Sequence, residues 1–242
     1  MNQADIKRQA RKLSKDKVYI QSAYKKLVGT RDFSGLKGPA AVFMAGSPGA
    51  GKTEMAKEIS RIFDPEPVHI DADDFRTQFP GYNGKNSSLF QQAATDMVQK
   101  ILDRVLHTAK KGPAVPFILD GTFSYARVQE NVKRALDRGY ALEIYYVYQK
   151  PLLAWQFTKA REAKDGRLVS EEVFIHTFIQ ARDNVLMVKK IFGDQINISM
   201  IMKNDDAKKG EVYAYLSYDE LEQRLPMSYN EGTLRKELRE LS

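Results

Sequence analysis

The octapeptide Gly46-Ser47-Pro48-Gly49-Ala50-Gly51-Lys52-Thr53 restricts what this chain can fold into more than any other feature. It satisfies G-x-x-x-x-G-K-[ST] in full, and a pattern fixing four positions arises by chance in roughly one chain in a hundred of this length. The apolar AAVFMA before it reads as a strand and TEMAKEISRIF after it as a helix, the context the pattern requires. Glycines permit a tight turn with several backbone N–H groups pointing inward. The following helix adds its positive end, so all eight residues are expected to cradle phosphate oxygens. Lys52 can reach the β- and γ-phosphates of a nucleoside triphosphate, and the Thr53 hydroxyl is a hard oxygen ligand for Mg²⁺. The expected cofactors are ATP and Mg²⁺, with ATP favoured over GTP because no N-K-x-D segment follows.

The pattern downstream supplies the sheet that such a loop needs. Apolar strand candidates at 40–45, 68–71, 115–120, 142–148 and 196–202 alternate with helical patterns at 53–63, 88–110, 125–138, 151–164 and 171–191. That alternation predicts an α/β fold, a P-loop kinase-like parallel sheet with helices on both faces. Ser170 offers an N-cap, Pro151 suits a first helical position, and Gly112 and Gly139 suit helix ends. Ahead of the sheet, Ile6, Ala10, Leu13, Ile20, Tyr24 and Leu27 recur at steps of four and three, with Lys17 interrupting. This spacing predicts one amphipathic helix from Ile6 to Leu27 as an N-terminal extension. Gly29, Gly35, Gly38 and Pro39 read as a linker. We divide the chain into a basic helix and linker at 1–38, a kinase domain at 39–203 and a tail at 204–242. The tail holds a Tyr-rich stretch, Val212 to Tyr218, read as a short strand, and a helix from Asn230 to Leu241.

A length of 242 residues suits one domain with appendages. No apolar run approaches the ~20 residues that cross a bilayer, and the polar start is unlike a signal peptide, so a cytoplasmic protein without a membrane partner is expected. The absence of cysteine excludes a disulfide framework, a thiolate nucleophile and a Cys-based zinc site. His69, His107 and His176 show no ligand spacing, so no structural metal is expected. Residues 1–38 carry ten Lys or Arg against three Asp, which accounts for the whole net charge of +7. A basic arm on a neutral body reads as a solvated helix face before it reads as a nucleic-acid contact.

The cradle alone does not choose between a kinase, a motor and a switch. Ligands of open α/β sheets lie beyond the strand C-termini, where Asp71-Ala72-Asp73-Asp74 and Asp120 fall. One carboxylate there can take the proton of an acceptor hydroxyl, and another, Asp71 or Asp120, can join Thr53 at the metal. Arg161 and Arg167 flank the glycine-containing break AKDGR between two predicted helices, which reads as a lid. Arginines closing over a transferring phosphoryl group are worth ~10³ to 10⁵ in rate. Turn-capping aspartates and solvated arginines are the alternative readings.

Together GSPGAGKT, IDADDFR with its following QFPGY, LDGT and the arginine pair resemble the zeta toxin family of P-loop kinases, over about residues 40–202. The resemblance implies that Asp73, 21 residues after Lys52, is the base that activates a sugar hydroxyl. It implies that Asp71 is a supporting residue, that Thr122 contacts the acceptor and that Arg161 and Arg167 are the lid arginines; Arg76 and Asp120 are expected with Asp71 and Thr122 on the acceptor side. The implied acceptor is UDP-N-acetylglucosamine at its 3′-hydroxyl, and the implied partner an antitoxin. The lid departs from the family pattern, with five residues between its arginines where better-known members carry a longer stretch. The N-terminal helix could in that setting restrain its own kinase. Another small-molecule kinase, with an antibiotic, shikimate or nucleotide acceptor, is the first alternative. A non-kinase P-loop ATPase or nucleic-acid-associated protein is the second.

Overall fold

The structure is a computed structural model that describes residues 2–36, 38–110, 112–203, 210–225 and 228–240. The apolar run before the cradle forms β1 (Ala40–Ala45), buried at every residue but the first. Ala41, Phe43 and Ala45 enter one apolar cluster, while Val42 and Met44 enter a second. Successive strand side chains point to opposite faces, so β1 is covered on both sides and belongs in the middle of a sheet. It pairs in parallel with β3 (Phe117–Asp120) on one side and β4 (Ala141–Tyr148) on the other. With β2 (Val68–Asp71), β5 (Ile196–Lys203) and β6 (Gly210–Tyr213), the strand order is β2-β3-β1-β4-β5-β6. The first five of these are mutually parallel, and β6 closes the edge antiparallel to β5.

On one face α3 (Lys52–Ser60) contributes Ala56 and Ile59 to the smaller cluster. The opposite face is covered by α5 (Gln91–Thr108), α6 (Val128–Leu136), α7 (Pro151–Asp165) and α8 (Glu171–Phe192), whose apolar residues join the larger one. This is the expected fold class. Ser170 accepts from Val173 N–H at 3.2 Å as the N-cap of α8, and Pro151 opens α7. The third strand is shorter than expected, since Val115 and Pro116 precede it, and the expected helix at 88–110 opens with a 3₁₀ turn at Ser87–Phe90.

The N-terminal extension differs from expectation. Two helices, α1 (Gln3–Leu13) and α2 (Lys17–Val28), stand where one was expected. The break falls at the Lys17 interruption because Asp16 caps α2, accepting from Tyr19 N–H at 2.7 Å, and an N-cap residue leaves the helical conformation. Ala10, Ile20 and Ala23 are buried in the larger core cluster, and Tyr19 stacks on Phe79 with ring centroids 5.8 Å apart. The glycine-marked linker is held as well, with Phe33 only 5% exposed and Arg31 donating to Val28 O at 3.0 Å and Pro67 O at 3.1 Å.

In the tail, Gly210–Tyr213 is the strand, but Tyr218 opens a helix, α9 (Tyr218–Arg224), under a Ser217–Glu220 capping box. The strand expected to reach Tyr218 therefore stops early, because reciprocal capping satisfies the first N–H groups of a helix. The last helix, α10, spans Glu231–Glu240, and Leu241, its expected end, lies outside the described residues together with 204–209. None of the described helices is long and apolar enough to cross a membrane.

Candidate active site

The cradle leaves β1 at Ala45 and enters α3 at Lys52. Gly49 has φ 76°, and a Cβ there would lie 2.0 Å from Ala154 O on α7, so the loop presses on that helix where only glycine fits. Gly46 N–H donates to Thr122 O at 3.2 Å, tying the cradle to the segment after β3. Next to it Phe123 is buried with φ 60°, and its carbonyl accepts from Asn184 Nδ2 at 2.8 Å. A bulky residue keeps that conformation only where its surroundings impose it. The Thr122 hydroxyl meets Ser124 Oγ at 2.8 Å. Lys52 Nζ folds onto Ser47 O at 2.7 Å. Burial draws the Lys52 ammonium down to about 8, while Asp120 and Asp71 pull it up and Arg167 and Arg161 push it further down.

Register places Asp71 and Asp120 side by side at the C-terminal ends of β2 and β3, each 8% exposed. His69, two residues before Asp71, shares its face of the strand and brings Nε2 to 3.3 Å from Asp120 Oδ2. One ligand atom of each of the three lies within 4.8 Å of the others. Burial, then the Asp120 charge, lifts the Asp71 carboxyl to about 6. Burial also pushes Asp120 upward, but the His69 hydrogen bond, the Lys52 charge and the Thr53 hydroxyl together hold it below the usual carboxylate range. Two buried carboxylates beside a threonine hydroxyl are the donor set of a hard divalent cation, so Thr53, Asp71 and Asp120 fit Mg²⁺. His69, expected to be isolated, is the third member of this cluster. The alternate spacing His69-x-Asp71 on a predicted strand was the signal for it.

The sequence reading had no helix between β2 and the 3₁₀ turn, yet α4 (Ala72–Arg76) starts there because Asp71 Oδ1 accepts from Asp73 N–H at 3.0 Å. The Asp73 carboxylate meets three guanidinium groups, those of Arg76, Arg161 and Arg167. Arg76 is 2% exposed and gives its other Nη to Gln91 Oε1 at 2.5 Å. Burial, then the Arg167 charge, lowers its pKa to about 10. Burial and Arg161 likewise lower Arg167. Asp165 holds the 161–167 segment, accepting from Arg161 Nε at 3.2 Å and from Arg167 N–H at 3.0 Å. Its carbonyl accepts from Ser87 Oγ at 2.9 Å. At the turn of this segment Gly166 has φ 68°, and a Cβ there would lie 1.8 Å from Lys85 O.

The structure thus gathers the expected residues into two groups, the cradle with Asp71 and Asp120, and Asp73 with the arginines. Arg161 and Arg167 act electrostatically on Lys52, which joins the groups. Arg76, expected among acceptor contacts, is committed to Asp73 and Gln91.

Comparison with known proteins adds three findings. A family model described as Zeta toxin matches residues 26–215. The toxin PezT of Streptococcus pneumoniae serotype 4 (strain ATCC BAA-334 / TIGR4) is 28% identical over 160 residues, which are 63% of this chain and 58% of that protein. The match therefore spans less than two thirds of that relative. Among solved structures, one from the PezAT chromosomal toxin–antitoxin system of S. pneumoniae superposes with a TM-score of 0.64 at 20% identity, covering 95% of each chain. The complex of AvrRxo1-ORF1 with AvrRxo1-ORF2 and ATP gives 0.56 at 15% identity, over 98% of this chain and 70% of the other. At those identities the structural likeness is one of fold.

Proposed function

This chain belongs to the zeta toxin family, and from that premise we propose that it transfers the γ-phosphoryl group of ATP to a hydroxyl of a small-molecule acceptor, with Mg²⁺ as cofactor. The observation that carries the reading is the convergence of Lys52 and Thr53 with Asp71 and Asp120 at the strand ends, within electrostatic reach of Arg161 and Arg167. In the reaction the cradle amides and Lys52 hold the β- and γ-phosphates. Thr53 and the paired carboxylates would hold Mg²⁺, which would supply charge neutralisation to the phosphates. Asp73 accepts the proton of the acceptor hydroxyl as its oxygen bonds to the γ-phosphorus and the bridge to the β-phosphate breaks, releasing ADP. Arg161 and Arg167 exchange the Asp73 carboxylate for the equatorial oxygens of the transferring group, and Arg76 keeps Asp73 ionised and oriented.

The family resemblance favours the 3′-hydroxyl of UDP-N-acetylglucosamine as acceptor, reaction in the cytoplasm where ATP is available, and an antitoxin as protein partner. The similar S. pneumoniae protein is named a toxin, and the superposed structure comes from a toxin–antitoxin system, which supports this line. The short lid, five residues between Arg161 and Arg167, favours keeping a second acceptor class, another small alcohol, in view. Restraint in cis would act through α1 and the segment before α5, because a Cβ at Gly81 would lie 3.4 Å from the Ile6 side chain while Lys85 and Ser87 touch the 161–167 segment.

The test is incubation with Mg-ATP and a panel of sugar nucleotides, nucleosides and shikimate, with new phosphate located by phosphorus NMR. A 3′-phosphorylated sugar nucleotide supports the full reading, and another phosphorylated alcohol supports the reaction with a different acceptor. No product from any acceptor, with ATP hydrolysed, would favour an ATPase instead.

A further inference from the structure

We infer that His69, Asp71 and Asp120 form a divalent-cation site with one nitrogen and two oxygen donors, which takes a first-row transition ion in preference to Mg²⁺ and takes it before nucleotide arrives. The inference rests on the reading above in placing the cation at these strand ends, but it is independent of the reaction.

Geometry comes first. Metal–ligand bonds of ~2.1 Å at right angles set neighbouring donor atoms ~3.0 Å apart, and opposite ones ~4.2 Å apart. His69 Nε2 and Asp120 Oδ2 are 3.3 Å apart, and all three donors lie within 4.8 Å of one another. Adjustments of under ~1 Å therefore close the set around an ion. The donors are fixed by backbone pairing, since Asp71 and Asp120 are register partners and His69 sits two residues along the same strand face. This preorganisation does not depend on a phosphate group.

The surroundings of the histidine point the same way. With Nε2 turned inward, Nδ1 faces Asp74 Oδ2 at 3.8 Å. A metal-bound imidazole commonly directs its other nitrogen at a carboxylate, which sets the tautomer and strengthens the donor. Asp71 and Asp120, register partners each 8% exposed, are moreover two adjacent carboxylates whose charge a dication would cancel. The donor types decide the ion. Mg²⁺ selects oxygen and keeps its waters, whereas imidazole is a good ligand for first-row transition ions. A half-buried histidine hydrogen-bonded to Asp120 for structural reasons alone is the competing account.

Mn²⁺ is the probe, added to the full-length protein without nucleotide and followed by electron paramagnetic resonance. One ion per chain is expected, held at least tenfold more tightly than Mg²⁺ in competition, with electron-spin-echo modulation from a directly bound ¹⁴N. Labelling histidine with ¹⁵N should replace that modulation, and His69→Ala should remove it and weaken Mn²⁺ by about tenfold or more. Absence of nitrogen coupling in the wild-type protein, or equal displacement by Mg²⁺, overturns the inference whether or not His69→Ala folds. Because no turnover is read, a bound Mn²⁺ with nitrogen coupling would stand even if every acceptor failed, and the converse would leave the kinase reading intact.

Discussion

Arg167 Nη1 lies 2.9 Å from Asp73 Oδ2 and 3.1 Å from Oδ1, so this arginine and the proposed base hold each other. Arg161 joins them from α7 and Arg76 from α4. A carboxylate surrounded by guanidinium groups resembles, in charge and hydrogen bonding, the phosphoryl group that those arginines would otherwise meet.

Replacing Asp73 separates its two roles. Asp73→Asn should lower kcat by on the order of 10² to 10⁴, because an amide cannot take the proton, while ATP affinity stays within a few-fold. Steady-state kinetics with direct ATP titration gives both numbers. Turnover near the wild-type rate would remove Asp73 as the base.

Lys52 should make ATP binding depend on pH. Its ammonium is held at about 8 in the free protein chiefly by burial, and a bound triphosphate raises it again, so binding above that pH takes up a proton. The Lys52 contribution to affinity should be constant well below pH 8 and fall as pH rises beyond about 8, by at most tenfold per unit for one proton. Calorimetry in buffers of different ionisation enthalpy measures the uptake directly. Lys52→Met should abolish both the uptake and the pH dependence, and Lys52→Ala should cost on the order of 10³ in transfer rate with the fold retained.

At the turn of the lid, Gly166→Ala places a methyl group against Lys85 O, 1.8 Å from the unshifted carbonyl, in a left-handed conformation. The lid must withdraw from the 81–87 segment. We expect kcat to fall tenfold or more through misplacement of Arg167, with ATP affinity little changed. Unaltered kcat would show that this contact has no part in turnover.

Truncation to a chain beginning at Gly38 should damage the fold before it reports on inhibition. It strips Ala10, Ile20, Ala23 and Phe33 from the core and leaves Phe79 without Tyr19. A loss of several kcal/mol, or a Tm lower by roughly 10 °C or more, is expected in a thermal scan. A truncated protein with wild-type Tm and raised kcat would instead identify the helices as a restraint.

The local signals were legible because their causes are local. Backbone turning fixes the glycine positions of the cradle, so GSPGAGKT was readable without neighbours, and β1 announced itself through six apolar residues in a row. Ser170 and Pro151 marked helix starts for the same reason. The break between α1 and α2 is also written locally, in the N-cap residue Asp16, although the apolar spacing resumes beyond Lys17. The Ser217–Glu220 capping box is likewise a local signal, set among tyrosines that favour a strand.

Sequence alone determined the phosphate cradle, the parallel sheet and the carboxylates at its edge, because these follow from periodicity and from motifs a few residues long. Tertiary structure decided what those groups face. Parallel strands are joined through distant segments, so only the strand order and the Asp71–Asp120 register bring His69 to Asp120, 51 residues away. Only the folding of the lid onto α4 brings Arg161 and Arg167 to Asp73, 88 and 94 residues away. Such pairings depend on how helices and strands pack in three dimensions, and spacing along the chain carries no record of them.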